Sequence, residues 1–495
     1  MKSASVSLHF GSRYGYECEI IRLMDYLDIN NDFNDEYDGE NREDMLRRFR
    51  KAMSEGKNSP GFLNPGVLEE LVEQCIDDGA LAEGLHYCES WTTFAPYNYV
   101  AWLRKGMILA GMNRPEDALV SLERAQTLHP NDIEILIQRG ITYDVMGRSK
   151  DAIAQFTQAL KSNPEHPELL FNYGLTLQHA DRLDEALRVF KSLLRHDDYV
   201  IDCWYEIGFC YDLREDYTDA VAAYEKHLDF DPYNANAWYN RGIALSRLGR
   251  LRRGIDSYDM ALIINEAFPD AWYNKGNNLA AHGRLSDAIE CYREVLRYEQ
   301  TDVASWNNLG IAYEELRQFS EAIEAFRAVL RRDPDHESAR IGLATCLDAL
   351  ERFDEALSQY DRLLQARKDD PDLWLARGDL LFNMQKFDKA EESYRKALAI
   401  ETHDPECWLA LGQTLHAQEK FNKALQAFER SEQLAPEWGN SSYAKARSLY
   451  ALRKFKESAQ ELEKALQVAP DLGKEFFLEF PEAGDHEELS KLAKR

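Results

Sequence analysis

Hydrophobic and small residues recur along the chain at an interval of 34 positions. The stretch AWYNRGIAL at 237–245 returns as AWYNKGNNL at 271–279, and sliding the chain against itself by 34 extends the match over most of its length. Within each interval the apolar residues fall at helical spacing in two bursts. A short polar turn, such as RLGRLRRG at 247–254, separates the bursts. The pattern predicts two antiparallel α-helices in each interval.

Small and aromatic residues hold fixed positions in these intervals. The first small residue is Gly106, Gly140, Gly174, Gly208, Gly242, Gly276, Gly310, Ala344, Gly378, Gly412 and Ala446 in turn. Four positions before it stand Trp102, Trp204, Trp238, Trp272, Trp306, Trp374 and Trp408. A second small residue follows twelve positions later, from Ala118 to Ala424, and an aromatic residue or leucine comes four positions after that. Proline closes several intervals, as at Pro130 and Pro232.

This arrangement has a direct packing interpretation. A small residue in the first helix allows the second helix to approach closely, and the aromatic side chains fill the space beside that contact. Proline ends the second helix before the next interval begins. A single helix pair cannot bury its own apolar face, so neighbouring pairs must stack on one another.

The spacing, the small residues, the tryptophans and the terminal prolines resemble those of the tetratricopeptide repeat (TPR) family. The resemblance covers residues 65–472 as twelve repeats of 34. It implies an all-α fold, a right-handed α-solenoid superhelix of stacked helix-turn-helix repeats with helical caps. Three repeats depart from the pattern: the first has Val72 and Gly84 at the two small positions, the ninth has Arg340 in place of tryptophan, and the twelfth has Ser442 there.

Two segments lie outside the repeats. Residues 1–64 are predicted to form an N-terminal helical and acidic capping segment, and residues 473–495 a C-terminal capping helix and tail. Between the two predicted N-terminal helices, Asp28, Asn30 and Asp32 have the first spacings of an EF-hand loop. However, Phe33 stands where the turn needs glycine, and Gly39 where the bidentate glutamate belongs. We therefore expect a solvated acidic loop rather than a calcium site.

The charge balance limits the classes of partner. The chain has 59 basic and 87 acidic residues, a net charge of -28. Such a surface repels phosphate backbones and anionic lipid, so neither nucleic acid nor a membrane is expected as partner, and a basic or neutral polypeptide is favoured. The alternative, that the excess charge only keeps a large surface soluble, remains open. Apolar runs are too short for a membrane helix and the first residues lack a secretory signal, which favours a cytoplasmic protein.

No pattern in the chain points to catalysis. The eight cysteines form no zinc-type cluster, and no nucleophile elbow, HExxH motif, phosphate loop or dinucleotide fingerprint is present. The sequence therefore predicts a protein that is not an enzyme and that has no metal site and no cofactor. A catalytic site assembled from distant repeats is the alternative.

The resemblance implies where a ligand would bind. In TPR superhelices the first helix of each repeat lines the concave face, and its positions 2, 5, 6, 9, 12 and 13 commonly meet ligand. Position 5 gives Phe171, Tyr205, Tyr239 and Tyr273, position 6 gives Asn172, Asn240, Asn274 and Asn308, and position 9 adds Asn277. Position 2 gives Glu168, Asp202 and Asp270, and position 12 gives Asp144, Asp212, Glu314 and Asp348. We take the residues at positions 2, 5, 6 and 9 as the candidate peptide-binding groove.

Each type of side chain in the groove has a chemical use. Asparagine pairs with the peptide groups of an extended chain without reading its sequence, tyrosine gives contact area, and carboxylates select lysine or arginine. The row of asparagines is similar to the ladder in the TPR arm of the O-linked N-acetylglucosamine transferase. The alternative is that tyrosine and asparagine at these positions are general features of the family, with the acids serving helix dipoles. The carboxylate clamp of chaperone-binding TPR proteins is absent, because no repeat has lysine at position 5.

These observations favour a non-enzymatic scaffold or adaptor that holds a segment of a partner protein in its groove. Two alternatives stay open. The chain could be a regulator whose partner releases residues 1–64, or an accessory subunit of an enzyme complex.

Overall fold

The computed structural model describes residues 65–493, and the calcium-loop pattern and the two helices predicted before residue 65 lie outside this range. The described residues form helices throughout and contain no β-strand. The first helices of successive pairs are α1 (Pro65–Asp77), α3 (Tyr99–Gly111), α5 (Ile133–Val145), α7 (Pro167–His179), α9 (Val200–Leu213), α11 (Ala235–Arg247), α13 (Pro269–Ala281), α15 (Val303–Glu315), α17 (Glu337–Ala349), α19 (Pro371–Asn383), α21 (Pro405–Ala417) and α23 (Gly439–Ala451). The second helices are α2 (Leu81–Phe94), α4 (Pro115–Leu128), α6 (Ser149–Ser162), α8 (Leu183–Leu193), α10 (Tyr217–Phe230), α12 (Leu251–Ile264), α14 (Leu285–Tyr298), α16 (Phe319–Arg332), α18 (Phe353–Ala366), α20 (Phe387–Ile400), α22 (Phe421–Leu434) and α24 (Phe455–Val468). Two short helices follow, α25 (Leu472–Glu479) and α26 (Glu487–Ala493).

Side-chain caps start most of the first helices. Asn98 Oδ1 accepts hydrogen bonds from the backbone N–H groups of Val100 and Ala101, and Asp302 accepts one from Ser305. These bonds satisfy N–H groups that have no partner inside the helix. Equivalent caps start α5, α7, α11, α17, α19 and α21. In these helices the residue before the apolar burst therefore sets the point at which the helix begins.

The turn between the two helices of each pair repeats one backbone conformation. A single residue there has a positive φ, between 57° and 80°. Glycine occupies this left-handed position in four turns, at Gly79, Gly147, Gly249 and Gly283. In the other turns the residue is Asn113, Asp181, Glu215, Arg317, Glu351, Gln385, Glu419 or Arg453.

Close contact between the paired helices depends on the first small residue. A Cβ atom added to Gly242 would lie 2.5 Å from the ring of Tyr258, and one added to Gly310 would lie 2.6 Å from the ring of Phe326. Both rings are fully buried. The predicted pairing of a small residue with the later aromatic is thus confirmed, as is the all-α arrangement of stacked helix pairs.

The chain divides into two compact bodies, Met1–Asn278 and Leu279–Arg495, which we call the N-terminal and C-terminal bodies. Within the N-terminal body, successive apolar clusters lie between the helix pairs, for example around Phe156 and around Tyr224. At the end of the C-terminal body, Phe476 and Leu489 pack against Leu462 of α24.

Cysteines contribute to these cores as small apolar residues. The seven cysteines in the described part of the chain are buried and form no disulfide. Burial raises the pKa of the Cys88 and Cys407 thiols to about 12, so both stay protonated. Among the described residues no group of histidine, cysteine and acidic side chains has the arrangement of a metal site. Over the same range, every helix is too short or too polar to cross a bilayer.

Candidate functional site

Tyrosines and asparagines of the N-terminal body form hydrogen bonds between neighbouring repeats. Asn240 Nδ2 on α11 donates to Tyr205 Oη on α9, at 3.0 Å. Asn274 Nδ2 on α13 donates to Tyr239 Oη on α11, also at 3.0 Å. Position 6 of one repeat therefore lies beside position 5 of the repeat before it. We call these two linked pairs the Tyr–Asn ladder.

The second pair of the ladder is deeply buried. The Asn274 side chain is 2% exposed, and its Oδ1 atom has no hydrogen-bond partner in the part of the chain that the structure describes. Asn277, one helical turn further along α13, is 3% exposed. Next to it, Asn278 Nδ2 donates to Ser246 Oγ at 2.7 Å. The amide groups of α13 thus form hydrogen bonds with neighbouring repeats, while the buried Oδ1 atom of Asn274 has no such bond among the described residues.

The aromatic rings at position 5 pack against the core. The Phe171 ring centroid lies 5.7 Å from that of Phe190. The Tyr205 ring lies 5.9 Å from Tyr224, and the Tyr239 ring lies 4.8 Å from Phe268. Burial and the nearby Asp270 carboxylate raise the pKa of the Tyr239 hydroxyl, which stays protonated. These tyrosines therefore support the ladder through their hydroxyl groups, while their rings contribute to packing.

The carboxylates at position 2, Glu168, Asp202 and Asp270, lie near the start of α7, α9 and α13. Partial burial raises the pKa of Glu168, and the Glu134 carboxylate raises it further. Burial raises the pKa of the Tyr199 hydroxyl, and Glu168 and Asp202 contribute to that rise, which places both acids near this ring. The electrostatic environment here is negative, as the composition predicts, and it favours cationic groups.

Acids at position 12 are close to side chains of the following repeat. His179 Nδ1 lies 2.6 Å from Asp144 Oδ2. The Asp212 carboxylate is near Arg247, but burial outweighs this charge and raises the pKa of Asp212 to about 6. In the C-terminal body, burial and Glu315 raise the pKa of Glu314 to about 7. The partner, where one exists, lies 35 positions later in the sequence.

The structure brings together only part of the predicted groove. Asn172 Nδ2 donates to the backbone oxygen of Glu168 at 2.9 Å and so lies outside the ladder. Asn308 belongs to the C-terminal body, on α15. The ladder is therefore assembled from Tyr205, Tyr239, Asn240 and Asn274, and Tyr273 and Asn277 lie on the same helix, α13.

Arg340 is a polar residue that the sequence marked only as a missing tryptophan. In six repeats the tryptophan indole N–H donates to the carbonyl oxygen six residues earlier, at 2.8–3.0 Å, as in Trp102, Trp238, Trp272, Trp306, Trp374 and Trp408. The Arg340 guanidinium donates to the corresponding oxygen, that of Pro334. A cavity of about 330 Å³ lies beside it, and a cavity of about 710 Å³ lies beside Trp306. Arginine at a tryptophan position is the signal that could have drawn attention to this site.

Family models match the chain in several stretches. Models described as tetratricopeptide repeat match residues 137–200, 313–380 and 370–437, and one described as TPR repeat matches 213–249 and 276–317. Together these stretches cover more than half of the chain. A search of curated proteins gives no significant match.

Solved structures with stacked helix pairs are similar to this chain. The APC/C hetero-tetramer Cut9-Hcn1 matches at 16% identity, over 92% of this chain and 96% of that chain, with a TM-score of 0.37. YrrB, whose structure is described as a TPR protein with an unusual peptide-binding site, matches at 25% identity over 37% and 95%, with a TM-score of 0.34. A tetratricopeptide repeat protein from Parabacteroides merdae matches at 19% identity over 50% and 98%, with a TM-score of 0.37.

Proposed function

Because the chain belongs to the tetratricopeptide repeat family, whose repeats serve as protein-interaction modules, we propose that it is a non-enzymatic scaffold. Its N-terminal body would bind an extended segment of a partner protein along helices α9, α11 and α13. The observation that carries this proposal is the Tyr–Asn ladder, in which the side chains of Tyr205, Tyr239 and Asn240 are only half-buried.

A buried polar atom without a partner has a defined energetic consequence. Leaving such an acceptor unpaired costs about 1–3 kcal/mol. A bound peptide would reach this atom only after the side chains that cover it had moved, so the half-buried Asn240 amide is the rung that a peptide would meet first. Since Asn274 Nδ2 already donates to Tyr239, the amide is held in one orientation before the peptide arrives. The ladder is therefore pre-organised, and little side-chain entropy is lost on binding.

The repeat spacing suits an extended chain. Packed helices lie roughly 8–10 Å apart, and an extended peptide advances about 3.3 Å per residue. Successive rungs of the ladder would then meet about every third residue of the peptide. Because asparagine pairs with the peptide backbone, the ladder would hold the chain in register without reading its side chains.

The charge of this region favours one class of partner. Glu168, Asp202 and Asp270 lie on α7, α9 and α13, and the whole chain carries a net charge of -28. Carboxylates at the margin of a binding surface steer cationic partners toward it and repel acidic ones. The proposal therefore specifies a basic or neutral segment, bound by its backbone at the ladder and attracted by these acids.

The test begins with peptides selected for binding to the wild-type chain from a displayed library of random sequences. The dissociation constant of each selected peptide is then measured for wild type and for the double variant Asn240→Ala, Asn274→Ala. Two lost hydrogen bonds, at about 0.5–1.5 kcal/mol each, should weaken binding by about tenfold or more. Asn265→Ala is the matched control, because this asparagine is exposed at the end of α12.

Circular dichroism of the double variant should match that of wild type. Two further outcomes decide the proposal. Selected peptides that are mostly acidic would contradict the charge argument. Peptides that bind the double variant as tightly as wild type would show that the ladder is not the binding surface.

A further inference from the structure

The ninth repeat replaces a flat ring by a charged, flexible side chain. In the eighth repeat, Trp306 Nε1 donates to the Gln300 carbonyl oxygen at 3.0 Å. In the ninth, the Arg340 guanidinium makes the equivalent bond to Pro334, and its Nη1 also donates to Gln359 Oε1 at 3.1 Å. The hydrogen bond is preserved while the aromatic bulk is lost. The cavity of about 330 Å³ lies next to this replacement, and we call it the arginine cavity.

Four arginines line the arginine cavity, and its lining includes no acidic residue. Arg327 and Arg331 extend from α16, Arg340 from α17 and Arg362 from α18. Leu330 and Leu343 provide apolar surface between them, and Leu343 is buried. Arg340 is itself only 8% exposed. Three helices thus contribute arginines to the lining of one small space.

Most of this positive charge is not paired with a carboxylate among the residues that the structure describes. Arg327 forms ion pairs with Glu324 and Glu355, at 3.3 and 3.2 Å. Within residues 65–493, Arg331, Arg340 and Arg362 form no ion pair with a carboxylate. Burial lowers the pKa of Arg340, the charge of Arg362 lowers it further, and the Asp335 carboxylate raises it.

Arginines held close together without carboxylate partners repel one another, and an anion bound between them would offset that repulsion. The guanidinium group presents N–H donors in a planar fork that fits the oxygens of phosphate, often with two bonds at once. A phosphate dianion accepts several such bonds, and a carboxylate monoanion accepts fewer. The two leucines would contact the carbon atoms of an ester. We propose that the arginine cavity binds a phosphate group, provided by a phosphorylated side chain of a partner protein or by a small phosphoester.

The net negative charge of the chain does not prevent this. At physiological ionic strength the Debye length is about 8 Å, so distant carboxylates are screened. The groups inside the cavity then determine what binds there. This site is distinct from the ladder, because it lies wholly in the C-terminal body and uses arginines of α16, α17 and α18. Its function does not depend on the proposed peptide groove.

The cavity beside Trp306 provides a matched comparison. Arg293 and Arg297 line it together with Glu321 and Glu324. Arg293 forms an ion pair with Glu290 at 2.6 Å, and Arg297 forms one with Glu294 at 3.3 Å. The arginines of this cavity are therefore neutralised, and it should not bind phosphate.

The experiment is isothermal titration calorimetry of the full chain at constant ionic strength. Three ligands are titrated: inorganic phosphate, a short peptide whose only charged side chain is one phosphoserine, and the same peptide with serine in its place. The variants are Arg362→Gln, which removes an exposed charge, and Arg340→Trp, which installs the residue that other repeats use. Arg297→Gln is the control, because it removes a charge from the cavity beside Trp306.

We expect both phosphate-bearing ligands to bind wild type, and the serine peptide not to bind. Each variant of the arginine cavity should weaken phosphate binding by about tenfold or more, because charge-assisted hydrogen bonds are lost. Arg297→Gln should leave the dissociation constant unchanged. If the phosphopeptide binds more tightly than inorganic phosphate, the ligand is a phosphorylated protein; equal affinities indicate a small phosphoester.

Two results would overturn the proposal. One is the absence of phosphate binding to wild type. The other is an equal loss of binding in Arg297→Gln and Arg362→Gln, since this would mean that general surface charge holds the ligand. Should Arg340→Trp fail to fold, Arg362→Gln decides the question alone, because its side chain is exposed.

Discussion

The eighth and ninth repeats, residues 303–336 and 337–370, show how one backbone plan can carry two different sets of side chains beside its cavities. Both consist of a first helix of 13 residues and a second of 14, and in both the first helix begins at a side-chain cap. In the eighth repeat Trp306 and Asn308 occupy positions 4 and 6, whereas the ninth has Arg340 and Gly342 there. The cavity beside the first is electrically balanced, and the cavity beside the second is positive.

Phe326 connects these differences. Its buried ring lies against Gly310 of its own repeat and against Gly342 of the next. A side chain at either glycine would overlap the ring. In the ninth repeat Gly342 at position 6 leaves room for this ring, and Arg340 stands where the eighth repeat has a tryptophan. A repeat array can thus change its chemistry locally without altering helix length or capping, since Arg340 keeps the hydrogen bond that a tryptophan makes in other repeats.

The largest effect is expected from Gly310→Leu. Its Cβ alone would lie 2.6 Å from the Phe326 ring, so a leucine would force the two helices apart. Overpacking of this kind costs about 3 kcal/mol. Chemical denaturation followed by circular dichroism should show this loss in the free energy of unfolding. Ala349→Leu, at an exposed position of α17, is the control and should have little effect.

Gly342→Leu should be as harmful as Gly310→Leu, because the same ring lies against both glycines. A mild effect at Gly342 alone would show that the Phe326 ring packs tightly only against its own repeat. Phe326 would then not couple the packing of the eighth and ninth repeats.

Exchanging the residues at position 4 between the two repeats should change the free energy of unfolding in opposite directions. Trp306→Arg removes a partly buried indole and should lower the free energy of unfolding by about 2 kcal/mol. Arg340→Trp should raise it by about 1 kcal/mol, because it fills space and removes an uncompensated charge. Both are measured by denaturant titration. Equal destabilisation by the two exchanges would mean that each repeat has adapted its surroundings to its own residue.

A pH dependence should distinguish the two acids at position 12. Burial raises the pKa of Glu314 to about 7, and the residue 35 positions later is Ala349, which offers no donor. Asp348 has a raised pKa as well, again through burial, but Asn383 donates a hydrogen bond that limits the rise. A raised folded-state pKa means that the folded chain binds a proton that the unfolded chain has released. Stability should therefore fall as the pH rises from about 5 through about 7.

Glu314→Gln should remove this contribution. Relative to wild type it should gain about 1 kcal/mol at pH 8, after allowance for solvent screening, and nothing at pH 4.5. Melting temperatures measured across this range test the expectation. Asp348→Asn should show a smaller gain in stability between pH 4.5 and pH 8. A larger gain than that of Glu314→Gln would contradict the prediction that Glu314 has the greater pH dependence.

The smallest effect concerns the rim of the arginine cavity. Glu355→Gln removes one carboxylate partner of Arg327, and the exposed pair should contribute less than about 0.5 kcal/mol to stability. Phosphate affinity should nevertheless increase, by about twofold, because Arg327 is released toward the cavity. Calorimetry measures this change. Unchanged affinity would mean that Arg327 does not contact the ligand.

The sequence was sufficient to predict the features that depend on the position of a residue within one repeat. The interval of 34 predicted the helix pairs, and the small residues predicted contacts such as that between Gly310 and Phe326. These features are local, since the spacing along a helix determines which side chains share a face. The predicted asparagine row could also be placed on the first helices, as Asn240 and Asn274 show.

The remaining features depend on contacts between repeats. That Asn240 donates to Tyr205, and Asn274 to Tyr239, follows from an offset of 35 rather than 34, which no single repeat reveals. The burial of Asn274 likewise depends on its surroundings. Arg340 was visible only as a departure from the pattern, because the sequence does not show that a guanidinium group can replace an indole N–H at the same carbonyl oxygen.

The left-handed turn residues offer a means of adjusting the stability of each repeat separately. A residue other than glycine in this conformation costs roughly 1–2 kcal/mol. Positions such as Glu215, Arg317 and Glu351 therefore store strain, and Gly249 and Gly283 do not. The turns lie outside both the ladder and the arginine cavity, so exchange of glycine and non-glycine residues there would redistribute the sites of local unfolding and leave the chemistry of binding intact. Mutations in the turns can therefore change the stability of single repeats without changing which ligands the array prefers.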